Sequence, residues 1–220
     1  MLEQIAPDAA FFSSDEAHFH LCGTVNKQNF CYWAEDNPQI IHQRPLHSPK
    51  LMVWCAISQF GVIGPYFFEE EGVTSTVNSE RYAAMLQNFL QPRMENIVEN
   101  EALGDVWFQQ DGATTHTARM SLNVLRRMFP GRLVSLRGDL QWPARSPDLS
   151  ICDFFLWGHL KERVFRSRPQ TLPQLRERII AEVMAIPRHM CERAVGNFRE
   201  RLQQCVAANG HHLPDIIFKT

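Results

Sequence analysis

The stretch VWFQQDGATTHTA, residues 106–118, decides how the chain is read. Val106, Trp107 and Phe108 are large residues suited to a buried strand. The sequence then turns polar at Gln109-Gln110-Asp111-Gly112, and a helical pattern follows. A strand that ends on an acidic residue and a glycine and runs into a helix presents a carboxylate at the mouth of an α/β sheet. Alone, Asp111 reads equally well as a turn residue or helix cap. What distinguishes the two readings lies outward from it, at Asp15 and Asp153.

Upstream, residues 11–21 (FFSSDEAHFHL) read as a first strand. The two-residue period puts Asp15, Ala17, Phe19 and Leu21 on one face and Glu16, His18 and His20 on the other. Ser13, where a large apolar residue is expected, and nearby Pro7 make it a weak strand. Residues 26–33 continue as a second strand, ended by Asp36-Asn37-Pro38. The apolar run LMVWCAIS (51–58) is a central buried strand, and residues 61–68 form another, with Pro65 marking an edge or bulge. Caps at residues 76–79 precede a helix over 80–94.

Downstream, a helix over 117–129 stops at Pro130-Gly131, residues 132–136 form a short strand, and Arg137-Gly138-Asp139 a turn. A helix starts near Leu149, carries Asp153 in its first turns and runs to Val164. The tail, residues 169–220, is helical in two pieces parted by Pro187, with an extended end. No repeat or linker divides the 220 residues, so 1–220 read as one domain, residues 1–10 being its poorly patterned start.

Composition narrows the function. No apolar run reaches the roughly 18–20 residues of a membrane span, and the start has no signal-peptide pattern. The six cysteines form no C-x-x-C pair and read as reduced thiols. Neither G-x-x-x-x-G-K-[ST] nor G-x-G-x-x-G occurs, against a nucleotide cofactor. Net charge is −2, yet residues 1–118 hold 5 Lys/Arg against 15 Asp/Glu, and residues 119–168 hold 10 against 4. The basic block (Arg119, Arg126, Arg127, Arg132, Arg137, Arg145, Lys161, Arg163, Arg166, Arg168) suits a polyanion track or solvated helix faces.

Several strands, a helix, another strand and flanking helices is the element order of an RNase H-like α/β fold, a mixed central sheet flanked by helices. There the first and central strands are neighbours, and a later helix leans across their ends. Asp15, Asp111 and Asp153 would then meet and repel unless cations neutralise them. Hard oxygen ligands suit Mg²⁺ or Mn²⁺, two of which can serve phosphoryl transfer.

The segments SDEAHFHL (14–21), VNKQNFCYWAEDNP (25–38), MVWCAIS (52–58), VWFQQDGATTHTA (106–118) and WPARSPDLSICDFFLWGHLK (142–161), with the GHHL tail, resemble the catalytic domain of Tc1/mariner-type transposases. The resemblance runs from about residue 11 to the C-terminus. It implies Asp15, Asp111 and Asp153 as the catalytic, metal-binding acids, a nuclear location, and DNA cleavage followed by strand transfer. Transposon ends and target DNA would be the partners, with a homodimer as the family's mode of assembly. Asp153 takes the third place, Asp148 and Asp139 being its rivals. Between Asp111 and Asp153 lie 41 residues, more than in familiar mariner members, the extra length falling in residues 132–141. The helix-turn-helix region that such enzymes carry ahead of the catalytic domain has no counterpart before Asp15. A transposon-derived DNA- or protein-binding module without catalysis is the alternative, and a nuclease that cleaves without joining is a third reading.

Two further groupings stand beside the acids. His18, His20 and Cys22 alternate along one strand, as zinc ligands or as packed and solvent-facing residues. His116, five residues after Asp111, is placed to approach the metal site or a phosphate, or to make local hydrogen bonds.

Overall fold

The computed structural model describes residues 5–6, 9–23, 48–70, 72–143 and 146–209. The strand expected over 26–33, its closing turn, Arg145, the C-terminal tail and His211-His212 lie outside the described residues.

The sheet is built outward from β1 (Ala10–His20). This strand pairs antiparallel with β2 (Lys50–Ser58), which pairs antiparallel with β3 (Gly61–Phe67) at the edge. On its other side β1 runs parallel to β6 (Val106–Gln109), followed by β7 (Leu133–Ser135) and β8 (Leu140–Gln141), all parallel. The order β3-β2-β1-β6-β7-β8 makes a mixed six-stranded sheet. A two-stranded hairpin, β4 (Glu69–Glu70) with β5 (Val73–Thr74), stands apart from it. Pro65 lies on the edge strand, where a missing N–H costs no ladder bond, and the β2–β3 register shifts between Trp54 and Ala56.

Ser13 does not weaken β1. Its hydroxyl is buried and donates to Gln109 Oε1 at 2.5 Å, and the Ser14 hydroxyl donates to Gln109 O at 3.0 Å. Polar pairing across the β1–β6 seam replaces the apolar contact that the pattern called for. The strand therefore runs unbroken for 11 residues.

Each sheet face carries its own core. On one, α1 (Ser79–Met85), α2 (Gln91–Asn100) and α3 (Arg119–Met128) bury Phe12, Trp54, Phe108, Tyr82, Leu86 and Leu125. On the other, α4 (Trp157–Arg166), α5 (Leu172–Met184) and α6 (Arg188–Ala207) bury Phe11, Phe19, Val53, Leu160, Ile179 and Phe198. Phe11 and Phe198 stack with centroids 5.0 Å apart. The alternation along β1 is thus the one its sequence predicts.

The helix expected over 80–94 starts after Asn78, whose side chain caps Arg81 N at 2.8 Å, and extends to Asn100. A π-helical turn, Leu86–Leu90, joins α1 to α2, and a second, Cys152–Leu156, leads into α4. Residues 132–141 form β7, the turn and β8. In that turn a side chain on Gly138 would place its Cβ 2.3 Å from Leu133 O and 2.8 Å from Ser135 N, so only glycine fits.

Candidate active site

The parallel pairing of β1 with β6 ends at Ser13 opposite Gln109. Two residues further along each chain stand Asp15, still within β1, and Asp111, in the loop that follows β6. The π turn before α4 supplies Asp153, and π turns, by inserting one extra residue, commonly re-aim side chains at functional sites. In the same turn Cys152 packs under β1, its Sγ 3.4 Å from Ser13 O.

Asp153 links the other two acids: its charge acts on Asp15, and that of Asp111 acts on it. Burial, then the charges of Asp153 and Glu16, push the Asp15 carboxyl well up, against hydrogen bonds from Trp157 and the Glu16 backbone. Burial also raises Asp153, and the charge of Asp111 adds to it, while Ser150 and Lys161 pull the other way. Burial works to raise Asp111, but the hydrogen bond and charge of His116 and the Ala113 N–H hold it below the usual carboxylate range. Asp15 is partly buried, Asp111 about half exposed and Asp153 exposed. Among the described residues no group of three or more His, Cys, Asp or Glu side chains is placed closely enough to hold a metal ion as it stands.

The rivals for the third place are engaged elsewhere. Asp139 Oδ2 accepts from Leu133 N at 3.0 Å and fixes the β7–β8 turn. Asp148 lies by Arg201, whose Nε donates to its carbonyl at 2.5 Å.

The glutamines before Asp111 are scaffold. Gln110 is buried, accepts from Tyr82 Oη at 2.8 Å, and donates to His116 O at 3.0 Å and Ser135 Oγ at 3.2 Å. Ser121 Oγ ties the start of α3 to Thr115 O at 2.7 Å. The loop carrying Asp111 is therefore pinned from β7, α1 and α3.

Two contacts, those of Trp157 and Lys161, went unread in the sequence, and a third, that of His116, was read only as one of several possibilities. Trp157 Nε1 donates to Asp15 Oδ2 at 2.9 Å, so one helical segment carries both Asp153 and the donor that holds Asp15. The signal was the four-residue spacing, which puts both side chains on one face. Lys161, one turn further, lies in the field of Asp153 and Asp15, which raise its pKa against a larger lowering by burial. His116 is buried between two acids, Nδ1 2.5 Å from Asp111 Oδ1 and Nε2 3.1 Å from Glu16. Burial would lower its pKa, but Glu16 and Asp111 push it up to about 10. Of the readings open for His116, the hydrogen-bonding one is what the structure displays.

The basic block is divided. Arg132, Arg163 and Arg166 are taken up in ion pairs with Asp105, Glu182 and Glu162. Arg119, Arg126, Arg127 and Arg137 are exposed on α3 and the β7–β8 turn. His18 and His20 lie 5.9 Å apart, and Cys22 accepts from Ser48 Oγ at 3.2 Å. Cys55, Cys152, Cys191 and Cys205 are free thiols, and no helix among the described residues is long and apolar enough to cross a membrane.

This sheet order, with acids on β1, after β6 and at the start of α4, defines an RNase H-like α/β domain. No family model matches the chain. It is 28% identical over 200 residues to the Tc3 transposase of Caenorhabditis elegans, which is 90% of this chain and 56% of that protein. The chain thus spans about half the length of the curated relative. The catalytic domain of the Mos1 mariner transposase superposes with a TM-score of 0.70 at 20% identity, covering 97% of this chain and 88% of that one. A Mos1 paired-end complex with the left transposon end gives 0.71 at 23% identity, covering 97% and 59%. A Mos1 catalytic domain with raltegravir and Mg gives 0.70 at 20%, covering 97% and 90%. The chain is thus similar to Tc3 transposase over most of its own length and shares the fold of the Mos1 catalytic domain.

Proposed function

We propose that residues 1–220 form one catalytic domain that cleaves DNA phosphodiesters and joins the freed 3′-hydroxyl to target DNA in cut-and-paste transposition. The observation that carries this reading is that Asp153 stands electrostatically between the other two acids: its charge raises Asp15, and the charge of Asp111 raises it in turn. The donor set fits Mg²⁺ or Mn²⁺: three carboxylates, two of them with raised pKa, whose repulsion a hard cation would relieve. Two such ions, when bound, supply activation of the attacking oxygen and stabilisation of the leaving one.

The chain's own residues supply orientation. Trp157 holds one oxygen of Asp15, and the Gln110–Tyr82–Ser135 network fixes the loop that presents Asp111. Lys161 stands by Asp15 and Asp153, where its ammonium can meet a phosphate oxygen. Arg119, Arg126, Arg127 and Arg137 offer exposed positive charge to the DNA backbone.

Transposon ends and target DNA are the proposed partners, a homodimer the proposed assembly and the nucleus the proposed place of action. The Mos1 structures, with Mg, with Mn and with paired transposon ends, support the choice of metal and of DNA. The test is nicking and strand transfer of plasmid and oligonucleotide DNA in Mg²⁺ or Mn²⁺, run beside Asp153→Asn. The variant should keep the wild-type circular dichroism spectrum and lose both reactions; nicking at the wild-type rate would overturn the assignment.

A further inference from the structure

We propose that His116, braced by Glu16, is a positioning residue that locks the Asp111 carboxylate in one orientation and leaves Oδ2 to face a cation. This role depends on Asp111 being a metal ligand.

Two segments distant in sequence meet here: Glu16 on β1, and the loop after β6 that carries both Asp111 and His116. Asp111 Oδ1 receives His116 Nδ1 at 2.5 Å and the Ala113 N–H at 3.0 Å, so that oxygen is occupied twice. A half-exposed aspartate without such contacts samples several rotamers, and binding would have to order it.

The imidazole itself cannot swing. Its ring lies against Tyr82 with centroids 4.3 Å apart, and the His116 backbone is held as well, its amide N–H donating to Ala113 O at 3.0 Å and its carbonyl accepting from Gln110 Nε2 at 3.0 Å. Its far nitrogen lies 3.1 Å from both Glu16 oxygens.

The charges account for Glu16. An imidazole bonded through both nitrogens to carboxylates needs both N–H groups and is then a cation. Opposite Asp111 alone, that cation would cancel the negative charge a metal needs. Glu16 offsets it, so the Glu16–His116 pair is close to neutral and holds Asp111 without discharging it. Partners behind a metal ligand typically change affinity by about 10- to 100-fold.

The test measures Mn²⁺ dissociation constants of the intact chain from the electron paramagnetic resonance of free Mn²⁺, with metal-free melting temperatures alongside. The proteins are wild type, Glu16→Gln, His116→Ala and Asp111→Asn. Glu16→Gln keeps the size and the hydrogen-bonding capacity of the side chain, so a mere packing role leaves its affinity unchanged. We expect it to bind Mn²⁺ about tenfold more weakly while melting within a few degrees of wild type, and His116→Ala to bind more weakly still. Wild-type affinity in Glu16→Gln and His116→Ala, with binding lost in Asp111→Asn, would overturn the bracing role and leave Asp111 a ligand. Wild-type affinity in Asp111→Asn would overturn both.

Discussion

Glu182→Gln tests whether α4, the helix behind Asp153, is clamped by charge. Glu182 on α5 is nearly buried; Arg163 Nε of α4 reaches its Oε2 at 2.7 Å and Arg178 Nη2 its Oε1 at 2.9 Å. The hydrogen bond from Arg163, with the charges of Arg163 and Arg178, outweighs burial and holds the carboxyl below the usual range. Hydrogen bonds to charged groups are worth about 1.5–3 kcal/mol when shielded, and exposed ion pairs about 0.2–1 kcal/mol. The two arginines are 44% and 41% exposed, which places the bridge between these limits, at about 1–2 kcal/mol. In a domain of this size that is a fall in Tm of about 2–8 °C at pH 7. A carboxyl whose pKa drops on folding stabilises above its unfolded value, about 4.3, and the contribution fades as pH falls through the folded value. The difference between wild type and Glu182→Gln, read by urea denaturation, should therefore be full at pH 7 and shrink steadily below about pH 4.3. An equal difference at pH 7 and at the acid end, or none at pH 7, would refute the clamp.

Gly138→Ala should cost about 2–3 kcal/mol by overpacking, because the new Cβ meets backbone of Leu133 and Ser135 rather than a yielding side chain. A urea midpoint unchanged from wild type would contradict that geometry. Tyr82→Phe should cost about 1–3 kcal/mol, since it strips the buried Gln110 Oε1 of its donor. It should also slow DNA nicking by loosening the Asp111 loop; wild-type stability would show that Gln110 finds another partner.

What the sequence made legible was what local pattern encodes. The alternation along residues 11–21 gave β1 its two faces, with Asp15 toward α4 and Glu16 toward α1 and α3. The run at 106–108 marked β6, and Pro187 parted α5 from α6. What it hid depends on tertiary contact. Ser13 looked like a flaw in β1 because its partner, Gln109, is 96 residues away. The π turns at 86–90 and 152–156 insert a residue that packing dictates and no periodicity announces. Strands of two residues, such as β4, β5 and β8, are too short to show a period. Among the arginines, only the folded chain separates Arg132, Arg163 and Arg166, held in ion pairs, from the exposed ones on α3. Element order set the three acids on β1, after β6 and before α4; Trp157, which holds Asp15, was not legible, and His116 was legible only as one of several readings.

The most direct measurement is a calorimetric titration of the chain with Mn²⁺ and Mg²⁺, without and with DNA, run beside Asp15→Asn, Asp111→Asn and Asp153→Asn. A shared cation site predicts saturable binding, tightened by DNA phosphates and lost or sharply weakened in each variant at unchanged fold. Binding in all three variants indistinguishable from wild type, with DNA present, would contradict the claim that these carboxylates form the metal site.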